Sequence, residues 1–346
     1  MISGYILQSL DAGLKRRSPV IWVTKLLIVI NMAVFIAMLF NGAGLWHSPN
    51  NIQLTWGANF GPATQDGEWW RLASALFLHF GVVHLVLNCF SLWEVGQLTE
   101  RMYGKLSFVI IYFASGLFGN LFSLVMQGNV AVSGGASGAI FGLYAALLTF
   151  LWREKSHIDQ LEFRWLFWGA SGLAAATIIL GFIIPGIDNA AHIGGFIAGG
   201  LTSIIFSQPA WTKDFSKNIS LAATFVMILL IIVLIKNIPA PKYRWSQELL
   251  LRNEISQFLY EDQSINRSWL EIANKNKQGL ASPSDLARQI DSAIVNRYDE
   301  SFEKLSKLPA NPNLPSAAQL EDVLQYAEQR KQESKEIADK LRESKK

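Results

Sequence analysis

The stretch Gly135–Trp152, GASGAIFGLYAALLTFLW, decides how this chain is read. It holds no charged residue, and as a helix rising 1.5 Å per residue it would span about 27 Å, close to the roughly 30 Å of a bilayer's hydrocarbon core. That makes it a membrane segment. It nevertheless opens with a hydroxyl among glycines, Gly135-Ala136-Ser137-Gly138, and that opening needs a reason.

Outward from this run, six others of comparable length and low charge appear: Val20–Phe40, Leu72–Leu98, Leu106–Met126, Trp165–Ile184, Ala190–Phe206 and Ile219–Ile235. The chain has 346 residues, 51% of them hydrophobic and 16% charged, and the charge gathers in short clusters and in the last third. The reading is therefore an all-α polytopic membrane protein. Polar residues within its spans are expected to face protein or water, since facing lipid costs several kcal/mol, roughly. Lys15, Arg16 and Arg17, then Arg101 and Lys105, Arg153, Lys155 and Arg164, and Lys213 and Lys217 flank alternate span ends, which predicts a cytoplasmic N-terminus. Seven spans then place the C-terminal tail on the opposite side. No removable signal peptide is expected, because the first apolar run is already of spanning length. The single cysteine, Cys89, allows no intramolecular disulfide.

From Pro239 onward the chain turns polar and rich in Lys, Glu, Gln, Ser and Asn. Leu286–Leu305 and Ala317–Leu341 carry helix-forming residues with loose apolar spacing, so a soluble, largely helical appendage is predicted. Neither part of the chain shows a nucleic-acid, phosphate or metal motif.

Counting back from charged cytoplasmic ends gives depths. Ser137 lies about 23 Å above Trp152, His192 about 21 Å above Phe206 and His84 about 24 Å above Glu100, with Asn88 one turn lower on the same helix face. A serine, two histidines and an asparagine thus share one layer, some 6 to 10 Å inside the outer face by the roughly 30 Å thickness. Taken singly, each has an ordinary reading: a membrane serine usually bonds its own backbone, and an asparagine commonly joins helices. Two features favour a joint role. Gly134, Gly138 and Gly142 form a small-residue ridge beside Ser137, and Gly195 and Gly199 form another after His192, so the two helices are expected to touch closely. Ser137 also begins its helix, where unpaired N–H groups and the dipole can stabilise an oxyanion.

These residues resemble the rhomboid intramembrane serine proteases. The likeness rests on Gly135-Ala136-Ser137-Gly138, on His84 and Asn88 spaced as H-x-x-x-N, on Trp70-Arg71 ahead of the second span, and on Ala191-His192-Ile193-Gly194 in the sixth; it covers about residues 15 to 210. The resemblance implies a rhomboid-like six-helix core (20–207) after a cytoplasmic segment (1–19), with a linker and seventh transmembrane helix (208–236) and a soluble tail (237–346). It implies Ser137 as nucleophile, His192 as general base, His84 and Asn88 as oxyanion-hole donors, and His79 as a supporting residue. Trp70 and Arg71 would order the external segment 41–71. Phe141 departs from the family's frequent tyrosine, keeping a ring to stack on His192 without the hydroxyl.

The implied activity is cleavage of transmembrane protein substrates near the outer boundary of the lipid bilayer, with no cofactor and no metal, in a bacterial cytoplasmic membrane. No H-E-x-x-H zinc motif is present, and Asp66 and Asp188 fall in loops rather than forming an intramembrane pair. Asp188, four residues before His192, is read as a loop residue or helix cap rather than a triad member. The rival reading is a catalytically inactive rhomboid-like protein that binds and guides other membrane proteins. The tail could recruit substrates, gate the active site or bind a protein partner.

Overall fold

The computed structural model describes residues 9–128, 130–206, 217–309 and 311–344. They are overwhelmingly helical and divide into two compact units, Met1–Pro241 and Lys242–Lys346, each with its own apolar core. Within hydrocarbon a helix satisfies its own backbone, which is why the apolar runs take this form.

The first unit contains α1 (Leu10–Arg17), α2 (Val23–Phe40), α3 (Asn50–Thr55), β1 (Asn59–Phe60), α4 (Gly61–Gln65), α5 (Arg71–Ser74), α6 (Val82–Tyr103) and α7 (Lys105–Gln127). It continues with β2 (Val132–Ser133), α8 (Ser137–Glu154), α9 (Gln160–Ile183), α10 (Asn189–Ile205) and α11 (Lys217–Lys236). Long helices therefore occupy all seven apolar runs. Among the described residues α2, α7, α9 and α11 are each long and apolar enough to cross a membrane, and the bent pair of Arg71–Phe77 with α6 makes a fifth candidate. α8 and α10 fall below that measure, because α10 has 17 residues and α8 ends on Arg153 and Glu154. They are interior helices: every residue from Gly138 to Leu147 is buried. α9 and α11 instead expose large apolar side chains such as Trp165, Phe182, Leu221 and Phe225, as lipid-facing helices do. The linker residues 207–216 and residues 1–8 lie outside the described residues.

The second run departs from expectation. Instead of one helix over Leu72–Leu98, α5 and a 3-10 turn (Ala75–Phe77) meet α6 at 91° across Leu78–Gly81. The polar groups freed by this break are taken up by the preceding segment 41–71: Ser48 N–H donates to Phe80 O (2.8 Å), Val82 N–H to Leu45 O (2.8 Å) and Gln53 Nε2 to His79 O (3.0 Å). Gly81 permits the approach, since a Cβ there would stand 2.2 Å from Trp46 O. At the other end of α6, the buried Glu100 carboxylate accepts from the N–H groups of Trp22, Val23 and Thr24 and from Thr24 Oγ1, capping the start of α2. Between these ends Leu92, Phe108, Ile111, Tyr112, Leu143 and Leu151 form the core joining α6, α7 and α8.

The second unit comprises α12 (Trp245–Lys277), α13 (Pro283–Ile290), a π turn (Asp291–Val295), α14 (Asn296–Ser306) and α15 (Ala317–Glu343). The helices expected at 286–305 and 317–341 are present, and the 33-residue α12 is an addition. Its stripe Leu251, Ile255, Phe258, Ile265 and Ile272 packs on Leu286, Ile290, Ile294, Tyr298 and Ala327. Buried Glu248 accepts from the backbone N–H and Oγ of Ser316 and from Arg252, fastening the approach to α15.

Candidate active site

Ser137 is the first residue of α8 and His192 the fourth of α10. His192 Nε2 and Ser137 Oγ are hydrogen-bonded at 2.8 Å. What brings them together is a glycine seam. A Cβ on Gly195 would lie 2.0 Å from Gly138 O, and one on Gly199 would lie 2.2 Å from Gly142 Cα, so backbone meets backbone along α8 and α10. A Cβ on Gly119 of α7 would come within 2.6 Å of Ala191 O, the carbonyl that Gly138 also faces. Of the expected ridge on α8, Gly138 and Gly142 face α10 but Gly134 does not: it precedes the helix and packs against Ala75 O and Leu78. A helical-wheel argument cannot extend into a segment that is not yet helical.

Phe141, one turn after Ser137, stacks on the His192 imidazole with ring centroids 4.3 Å apart and planes 9° apart. The ring is thus clamped between Phe141 and the hydrogen bond to Ser137. His192 Nδ1 is buried and has no partner among the described residues.

His84 reaches the other flank of Ser137. Gly135 has φ +137°, in the region glycine favours, and a Cβ there would stand 2.9 Å from His84 Nε2 and Cε1. His84 Nδ1 accepts from Phe80 N–H at 3.4 Å, which leaves Nε2 to carry the proton and point at the Gly135–Ser137 corner. Asn88 is buried one turn below, where its Nδ2 donates to His84 O (2.9 Å) while its Oδ1 has no partner among the described residues. No hydrogen bond joins Asn88 to Ser137 or His192 directly. His79 sits in the break before α6, fully buried, with its ring edge-on to His84 at 5.0 Å.

Trp70 and Arg71 organise the segment 41–71. Arg71 is buried and donates to Leu54 O (2.7 Å), Ala58 O (3.1 Å) and Glu68 Oε2 (2.5 Å), while Trp70 covers its guanidinium at 5.0 Å and packs over Gly57. Among the described residues no three His, Cys, Asp or Glu side chains are arranged to hold a metal ion.

Several contributors escaped the sequence reading. β1, within segment 41–71, pairs antiparallel with β2, Asn59 opposite Ser133 and Phe60 opposite Val132, shortly ahead of Ser137. Asn59 Nδ2 donates to Asn120 O (2.9 Å), and Asn120 Nδ2 donates to Leu72 O (2.7 Å), tying that pairing to α7. Two-residue strands leave no periodic signal, so only the three-dimensional structure reveals them. Asp188, by contrast, caps α10 as its sequence position suggested, its Oδ1 accepting from Ala191 N–H at 2.9 Å.

Comparison with known proteins gives a consistent picture. The family model described as Rhomboid domain matches residues 66–209. The rhomboid protease GluP of Bacillus subtilis is 30% identical over 312 residues, covering 88% of this chain and 57% of that protein. The rhomboid protease AarA of Providencia stuartii is 32% identical over 203 residues, 53% of this chain and 72% of AarA. The RHOMBOID-like protein 5 of Arabidopsis thaliana is 39% identical over 145 residues, 39% of this chain and 43% of that protein. This chain therefore spans a little over half the length of GluP.

Proposed function

The chain belongs to the rhomboid family, and from that premise we propose that it is an intramembrane serine endopeptidase acting through Ser137 and His192. The observation that carries this reading is the 2.8 Å hydrogen bond between His192 Nε2 and Ser137 Oγ, made between two interior helices at the N-terminus of one of them. In the reaction His192 takes the Ser137 proton as the oxygen attacks a peptide carbonyl, then delivers it to the leaving amine. Water afterwards attacks the acyl-enzyme with the same imidazole as base. The developing oxyanion is received by the Ser137 backbone N–H at the start of α8, by His84 Nε2–H, and by the Asn88 amide through its second N–H. No third acid is required: Phe141 holds the imidazole plane that a carboxylate holds in a triad.

The substrates are transmembrane proteins, cut near the outer boundary of their spans. A helical segment hides its carbonyls in its own hydrogen bonds, so substrates with glycine or other weak helix formers at that level are favoured. The basic loops give a cytoplasmic N-terminus, and a bacterial cytoplasmic membrane suits the family.

Purified protein in detergent is treated with a fluorophosphonate probe and, separately, with a single-span model substrate. The expected results are labelling at Ser137 and cleavage that disappears in Ser137→Ala. Cleavage persisting undiminished in Ser137→Ala overturns the assignment.

A further inference from the structure

Asp188 lies one turn before His192 but is turned away from it. Its Oδ1 accepts from Ala191 N–H (2.9 Å) and Gln127 Nε2 (2.6 Å), and its Oδ2 accepts from Ser123 Oγ (2.5 Å) and Ser133 Oγ (2.5 Å). Four donors occupy the acceptor sites of a carboxylate. They come from the end of α7, from β2 and from the first turn of α10, and the two serines are buried.

The placement matters because of what each element carries. β2 ends at Ser133, four residues before Ser137, and the intervening Gly134-Gly135-Ala136 is not helical. Its backbone is held on one edge by β1 and by the Gly135 N–H to Ala75 O bond (2.8 Å). Its side-chain hold on α7 and α10 is Ser133 to Asp188. We propose that Asp188 is a positioning residue: its carboxylate pins the strand leading to Ser137 and the start of the His192 helix to the same point on α7, and so sets the Ser137–His192 separation. This rests on the endopeptidase reading above.

Capping alone would not need this residue, since asparagine caps a helix as well as aspartate does. Asparagine keeps one oxygen for the Ala191 N–H and replaces the oxygen that receives two serine hydroxyls by an amide NH2, which only donates, so both hydroxyls must turn from donors to acceptors and both bonds lose the carboxylate charge that strengthens them. Asp188→Asn therefore separates a cap from a pin. The test measures the rate constant and the end-point of fluorophosphonate labelling at Ser137, together with kcat and KM on a model substrate, for wild type, Asp188→Asn, Ser133→Ala and Ser133→Thr. A 1 Å displacement of reacting groups can cost about a hundredfold. Asp188→Asn is accordingly expected to lower the labelling rate constant and kcat about ten- to hundredfold, with KM and the end-point retained. Ser133→Ala should give a smaller fall of the same kind, and Ser133→Thr, which keeps the hydroxyl, should restore the rate.

Wild-type rate constants in both Asp188→Asn and Ser133→Ala overturn the proposal while leaving the endopeptidase reading intact. So does a fall in end-point without a fall in rate constant, which marks lost fold rather than lost alignment. If Asp188→Asn does not fold, the contrast between Ser133→Ala and Ser133→Thr decides. Folded wild type that neither labels nor cleaves overturns the endopeptidase reading itself, and the positioning role with it.

Discussion

Gly195→Ala is the sharpest test of how the dyad is assembled. The added Cβ would stand 2.0 Å from Gly138 O and 2.7 Å from Gly138 C, atoms of a helical backbone that cannot rotate aside. Cβ contacts below 3.0 Å are essentially never seen, so α8 and α10 must part by about 1 Å, an overpacking that costs about 1–3 kcal/mol of stability. The same movement lengthens the Ser137–His192 contact from 2.8 Å to about 3.8 Å, past the reach of a hydrogen bond. A misplacement of that size lowers the chemical step about a hundredfold. The assay is the rate constant of fluorophosphonate labelling at Ser137 in detergent, with thermal unfolding followed in parallel to show that the variant is folded at the assay temperature. Gly172→Ala serves as control, because no atom lies within 4 Å of its added Cβ, and it should behave as wild type. A folded Gly195→Ala enzyme that labels at the wild-type rate would refute the argument that backbone contact sets the dyad distance.

Phe141→Leu removes the ring stacked on His192; with aromatic pairs worth about 0.5–1.5 kcal/mol, kcat should drop roughly two- to tenfold, whereas Phe141→Tyr should stay near wild type in the same cleavage assay. Asn88→Ala and His84→Ala each remove one proposed oxyanion donor and should lower kcat about a hundred- to thousandfold with little change in KM, read from full Michaelis curves. Arg71→Ala removes the Arg71 donor from buried Ala58 O and one of two donors from Leu54 O, which keeps the Gly57 N–H (3.2 Å). At about 1–3 kcal/mol for an orphaned group, it should lower the melting temperature and quicken proteolysis within residues 41–71.

Which parts of this protein could be read in advance follows from the range of the forces involved. A span announces itself through its own composition, because the bilayer tests each helix separately; hence the long helices coincide with the apolar runs. Depth is equally local: 1.5 Å per residue carried Ser137, His192 and His84 to one layer without any knowledge of packing. The break at Leu78–Gly81 has a different origin. Nothing in that run is polar enough to stop a helix; the chain bends because Leu45, Ser48 and Gln53, some thirty residues earlier, offer partners for the groups exposed at Phe80, Val82 and His79. Hydropathy cannot register a partner supplied from elsewhere. The same holds for β1 with β2 and for Asp188, whose Ser123, Gln127 and Ser133 contacts span 55 to 65 residues of sequence. α12 is the instructive exception, because its apolar stripe at helical spacing was present in the sequence and was masked by a polar average.

The division also explains why the site sits where it does. The spans alone would deliver a serine and a histidine to the same depth with a tolerance of several ångströms, since each helix is free to slide and turn in lipid. Narrowing that to a 2.8 Å contact takes interactions lipid cannot provide: the backbone seam of Gly138, Gly142, Gly195 and Gly199, and the polar ties that end on Asp188 and Arg71. Asp188 ties the start of α10 and the seam opens at the start of α8, while Arg71 ties the segment that precedes α5. At the opposite end of the bundle Glu100 caps the start of α2, Tyr103 Oη donates to Ala146 O of α8 (2.9 Å) and Leu10 N–H donates to Glu162 of α9 (2.8 Å). α9 and α11, which contribute none of the proposed reacting groups, are left largely to lipid.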